Sequence, residues 1–170
     1  MLLDGDAFAA RLSNFQRSAW RLETQPSYAI PREAETFARF LAGEPKPDGF
    51  NATWEERVRA NVAAGKTMGR VRVLRQPVTD YARSQFAWSI PGNIAAGEDI
   101  RILDLTGQDL ALPDQVFWLF DETTVVHLNF RPDGTLIDRE QVENVDVTKY
   151  LERRDIAIEH SVSFEEYDRT

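Results

Sequence analysis

The apolar positions of the chain change their spacing from one stretch to the next, and each spacing predicts an element. Phe8, Leu12 and Phe15 recur at i, i+4 and i+7, the stripe of a short amphipathic helix over residues 4–17. Residues 19–23 then alternate apolar and polar, which reads as a short strand ended before Pro26. Pro31 suits the first turn of a second helix that runs to Ala42, with Phe37, Phe40 and Leu41 inward and Gly43 closing it. Residues 44–49 (EPKPDG) form a loop. Thr53 and Glu56 have the spacing of a capping box for a helix that carries Trp54, Val58 and Val62 and stops at Gly65.

The densest strand signal lies between Arg70 and Phe130, and the rest of the chain is expected to be arranged around it. Residues 68–74 and 99–105 read as strands, with Val71 and Val73 on one face of the first and Arg70 and Arg72 on the other. Between them Thr79 can cap a helix to about Ile90, with Ala82, Phe86 and Ile90 inward. Pro91-Gly92 is expected to break it, leaving residues 93–97 as a connection or a further turn. A strand–helix–strand order of this kind makes a parallel βαβ unit. Val116–Phe120 and Thr124–Phe130 follow as a hairpin, then a turn at residues 131–134 and a weaker strand over residues 136–142. A helix over residues 147–161, carrying Tyr150, Leu151, Arg154 and Ile158 on one side, ends the pattern, and the tail SFEEYDRT is expected to fray.

The predicted fold class is α+β: a mixed central sheet of about five strands with flanking helices, containing one βαβ unit. At 170 residues one domain is expected, residues 1–66 forming a mainly helical part packed on a sheet-containing core of residues 67–170. The net charge of −8 argues against direct nucleic-acid binding. Absence of cysteine removes disulfides and thiolate chemistry and fits a reducing cytoplasm. The chain has no apolar run of membrane-spanning length, and its first residues are acidic where a signal peptide is basic. A cytoplasmic protein with no membrane association and no cofactor is expected.

Several stretches invite a chemical reading. Residues 60–67 (ANVAAGKT) fit a relaxed phosphate-loop pattern, but a helix precedes them and a strand follows, the reverse of what converging amides need. Gly65 is better explained as a helix stop. His127 stands on the strand face opposite Val126 and Leu128 and is the candidate acid, base or nucleophile, with Asp121 or Asp104 to orient it. His160 reads as a favourable charge at a helix end. Asp80, Glu98, Asp99, Asp104, Asp121 and Glu122 gather near element ends, where carboxylates serve as caps as readily as metal ligands; no metal site is assigned. Tyr81 and Trp88 lie seven residues apart and share a helix face, so with Arg83, Trp118, Arg70 and Arg72 they make a candidate ligand pocket or partner surface. It is expected beyond the carboxyl ends of the parallel strands, near Arg75, Gln76 and Thr79 and near Asp104, Leu105 and Thr106.

The chain resembles the actinobacterial DUF6879 family through Arg21-Leu22-Glu23-Thr24, Phe40-Leu41-Ala42-Gly43-Glu44-Pro45, Arg70-Val71-Arg72-Val73 and Asp80-Tyr81 with Arg83. The likeness continues through residues 95–101 (AAGEDIR), Leu112-Pro113-Asp114 and residues 117–121 (FWLFD). It implies a regulatory setting beside helix-turn-helix regulators, and carries over no catalytic residue. The element order of residues 70–130 is also similar to half of a phospholipase-D-like phosphodiesterase domain. In that family's His-x-Lys-x4-Asp motif, His127 takes the histidine place, but Asn129 stands where lysine is needed and Gly134 where aspartate is. The leading expectation is a non-catalytic regulatory or interaction module with a protein partner, such as a helix-turn-helix regulator. The alternative is a divergent phosphodiesterase using His127 with Arg70 or Arg72, for which a homodimer would supply the second histidine.

Overall fold

The computed structural model describes residues 1–170. The fold is α+β, a mixed sheet with flanking helices. Its elements are α1 (Gly5–Asn14), β1 (Ser18–Glu23), a 3₁₀ turn (Pro31–Glu33), α2 (Ala34–Leu41), α3 (Ala52–Ala63) and β2 (Thr67–Leu74). Then come α4 (Asp80–Ser84), a π turn (Gln85–Ser89), α5 (Ile90–Ala96), β3 (Asp99–Asp104), β4 (Val116–Phe120), β5 (Thr124–Phe130) and β6 (Leu136–Gln141). The chain closes with α6 (Val147–His160), β7 (Val162–Ser163) and α7 (Phe164–Asp168).

One sheet of seven strands, rather than about five, runs in the order β6-β5-β4-β1-β2-β3-β7. β2 and β3 pair in parallel with α4 and α5 between them, the expected βαβ unit. β1 pairs in parallel with β2 on one side and antiparallel with β4 on the other. The first third of the chain is therefore not only a helical cover; it supplies the central strand. The extra edge strand, β7, has only two residues, too few for any periodicity to announce it. No helix is long and apolar enough to cross a membrane.

Strand alternation divides the sheet into two faces. Ala19, Met68, Trp118, Phe120 and Val126 pack with Leu12 of α1, Val58 of α3 and Ala96 of α5. Leu22, Val71, Leu103, Phe117, Leu119 and Val125 pack on the reverse side with Tyr150 and Ala157 of α6. β4 is buried at every residue because helices cover it on both sides.

Three local expectations change. Asn51, in the left-handed region at φ 61°, precedes α3 with no side-chain cap, and Thr53 lies inside the helix, so the capping box does not form. The Asn51 amide is instead engaged with the Asn93 amide at 2.6 Å. The helix after β2 is not broken at Pro91 but continues to Ala96, because the π turn comes first and Pro91 falls at the start of the next regular turn, where no N–H is required. The tail does not fray: Ser163 caps α7, and Phe164 is buried against Ile90, Ile100 and Ile102.

Gly134 shows what the turn before β6 demands. Its φ is +90°, and a Cβ there would meet the Ser27 carbonyl oxygen at 2.3 Å. Gly107, at φ +70°, has open space. Gly107→Ala is expected to cost about 1 kcal/mol from backbone strain alone. Gly134→Ala adds the clash and should cost roughly 3 kcal/mol, a difference that urea titration of the two variants measures.

Candidate functional site

The least ordinary part of the molecule is a charged strip on the face of the sheet that α1, α3 and α5 cover. β2 places Arg70 and Arg72 there, and register sets Arg70 opposite Arg21 of β1 and Arg21 opposite Trp118 of β4. Like charges directly opposite repel, so the row needs carboxylates among its members. Glu98, from the turn before β3, takes Arg70 in a fork, accepting from Nε at 2.7 Å and from Nη2 at 2.9 Å. Glu23 accepts from Nη1 at 2.9 Å. The Trp54 indole donates to Glu98 at 2.9 Å, and the Asn93 amide oxygen, turned toward Arg70, accepts from Nη2 at 2.9 Å. Arg70, Glu23 and Glu98 are each 4% exposed. Burial alone pushes the Glu23 carboxyl up, but Arg21, Arg70 and Arg72 outweigh it and hold its pKa at about 2. Glu98 is also held below its ordinary value against burial, by Arg70 first.

Arg72, 1% exposed, donates to the carbonyls of Gln25 at 2.6 Å and Pro26 at 3.1 Å and to the Gln85 side chain at 3.2 Å. It thereby ties the segment leaving β1 to the π turn. Arg21 lies over the rings of Trp54 and Trp118, 5.3 and 4.9 Å from their centroids, with its Nε 4.0 Å from Glu23.

Two openings adjoin this strip. One is a cavity of about 60 Å³ above the π turn, with Phe37, Phe40, Phe50, Tyr81 and Trp88 as walls and Glu33 beside them. The other is a cleft of about 370 Å³ beyond the carboxyl end of β1, lined by Thr24, Gln25, Asp114, Gln115, Asn129 and Arg131. That cleft lies where strand order reverses, since β2 and β3 run out to one side of β1 and β4 to the other. Ligands of open α/β sheets favour such a point.

The residues singled out from the sequence are only partly brought together. Tyr81 and Trp88 do share a face and line the small cavity. Trp118 is elsewhere, buried between Arg21, Phe8 and a stacked Phe120. Tyr81, Trp88 and Trp118 are 9, 8 and 3% exposed, covered by the α2 and α3 aromatics Phe37, Phe40 and Trp54. Arg83 is exposed, paired with Asp80 and bonded to the Val78 carbonyl. The expected edge at β2 and β3 is closed by its own bonds: Asp104 accepts from Thr106 and Gln76, and Gln76 N–H donates to Thr106.

His127 does not meet its intended partners. The register row Val71, Leu22, Phe117, His127 lies on the reverse face, so the sheet separates His127 from Arg70 and Arg72. Its Nε2 lies 2.8 Å from the Tyr150 hydroxyl. Burial lowers its pKa, Glu140 opposes, and Arg153 and Lys149 lower it further. Asp121 is committed to the backbone: its carboxylate accepts from the amides of Gln16, Arg17 and Ser18 at 2.8, 2.6 and 3.0 Å. No group of three or more His, Cys, Asp or Glu side chains is placed to hold a metal ion. What sequence reading missed was the partnership of Glu23, Glu98 and Asn93 with Arg70. The one available signal was a strand with arginines on one side, in a chain with helices enough to cover both.

Arg70→Met would leave Glu23 and Glu98 buried without their main partner and is expected to cost about 3–5 kcal/mol, measured by urea titration. Acid should act on the same network. The folded-state pKa of Glu23 is depressed from 4.5 to about 2, so its stabilisation is full above pH 4.5 and lost as pH falls toward 2. The urea midpoint should fall across that window, and fall less in Glu23→Gln.

No curated protein matches the chain at a significant level. A family model described as a domain of unknown function, DUF6879, matches residues 6–169, nearly the whole chain. The chain belongs to this family.

Proposed function

We propose that this protein is a non-catalytic interaction module, acting in the cytoplasm on a basic protein partner, of which a helix-turn-helix regulator is the leading type. The observation that carries the reading is where the charge sits. The buried strip sets two guanidiniums, of Arg70 and Arg72, against two carboxylates, of Glu23 and Glu98, with Arg21 partly buried beside them. These buried charges cancel, so the net charge of −8 falls to the remaining, more exposed residues. An acidic surface steers a basic partner toward it and competes with DNA for that partner's basic face. The side chains best suited to acid–base work serve structure instead, His127 against Tyr150 and Asp121 on three backbone amides.

A pull-down of the tagged protein from its native host at low salt is expected to recover a basic protein. The complex should dissociate toward 1 M salt, where charges are screened beyond about 3 Å. A pull-down that recovers no protein partner overturns the reading.

A further inference from the structure

The small cavity above the π turn has the construction of a cation box. Phe40 and Phe50 meet Trp88 edge to face, with centroids 5.2 and 5.6 Å apart and planes at 83° and 73°. Phe37 meets Tyr81 at 5.8 Å and 59°. Five aromatic side chains, of Phe37, Phe40, Phe50, Tyr81 and Trp88, line the void, and aromatic rings attract a cation where they do not attract a neutral apolar group of the same shape. The void measures about 60 Å³. That is room for a head group, not for a whole ligand of the kind that fills sites of about 300–1,000 Å³.

A carboxylate completes the box. Glu33, half-buried in the turn that opens α2, accepts from the Tyr81 hydroxyl at 3.0 Å. No lysine, arginine or histidine pairs with it in the ion pairs of the molecule. A partly desolvated carboxylate without a counter-ion is unfavourable, and here it borders a space walled by aromatic rings. One of these rings already meets a cation, since the Lys46 ammonium stands 5.8 Å from the Phe50 centroid.

We propose that this cavity binds an N-methylated ammonium group, with Phe40, Phe50 and Trp88 as walls and Glu33 as counter-charge. The group comes either from a free small molecule of choline type or from a trimethyllysine side chain. The proposal rests on the cavity alone and stands independently of the interaction reading above.

The test is a titration of ¹⁵N-labelled full-length protein, followed by NMR, with choline, with its neutral carbon isostere 3,3-dimethylbutanol, and with a short trimethyllysine peptide. Saturable shifts clustered around Glu33, Phe50 and Trp88 are expected for a cation, with the isostere at least tenfold weaker. Tighter binding of the peptide than of choline assigns the source to a protein side chain, and the reverse assigns it to a free small molecule. Glu33→Gln should weaken the cation at least tenfold while leaving the urea midpoint within error of wild type, and Phe50→Ala should weaken it independently. Equal affinity for choline and its isostere overturns the proposal, as does absence of saturation by both choline and the peptide.

Discussion

The Arg70 guanidinium, held between Glu98 and Glu23 beneath the helices, is the interaction on which the rest of the structure depends. Its fork to Glu98 and its third bond to Glu23 are made where all three side chains are almost fully excluded from water. Taking each such charge from water costs several kcal/mol, and attraction repays it only when geometry is good and the remaining protons and lone pairs are satisfied. The contributors come from β1, α3, β2, α5 and the turn before β3. None of these elements can move alone without breaking a hydrogen bond to a buried charge. The network therefore fixes how the helical layer sits on the sheet, a task that interchangeable apolar contacts perform less selectively.

Arg72 extends that constraint to the openings. Its bonds to the Gln25 and Pro26 carbonyls hold the chain as it leaves β1, which forms one lip of the larger cleft. Its bond to Gln85 anchors the π turn, whose next residues on that face, Trp88 and Ser89, line the aromatic cavity. One buried side chain thus positions the walls of both spaces. The wider π turn also explains the survival of the helix through Pro91, since the widened hydrogen bond from Ile90 N–H to the Gln85 carbonyl is already in place before the proline is reached.

Much of the secondary structure was legible in the chain because it rests on local physics. Helix stripes such as Phe8 and Leu12, the alternation of residues 19–23, and the strand–helix–strand order around Val71 and Ile102 all report burial on one face, and burial sets the period. Misreadings fell where a long-range partner overrode a local preference. Asn51 answers to Asn93 rather than to a capping box, and Phe164 is recruited into the core next to β3. The candidate site was legible only in part. The seven-residue spacing of Tyr81 and Trp88 suggested a shared face, and they do line one cavity even though a π turn lies between them.

The sequence by itself determined the class of fold, the parallel pairing of β2 with β3, and the presence of arginines on one side of a strand. Only the tertiary structure decided that β1 is the central strand, because pairing between segments far apart in the chain depends on both of its edges being complementary. Only the tertiary structure decided that Arg70 and Arg72 are buried, because an alternating strand reads identically whether its polar face meets water or meets Glu23, Glu98 and Gln85. And only the tertiary structure set His127 across the sheet from the arginines: the sign of a side chain's face is local, but which faces coincide is settled by register with neighbouring strands.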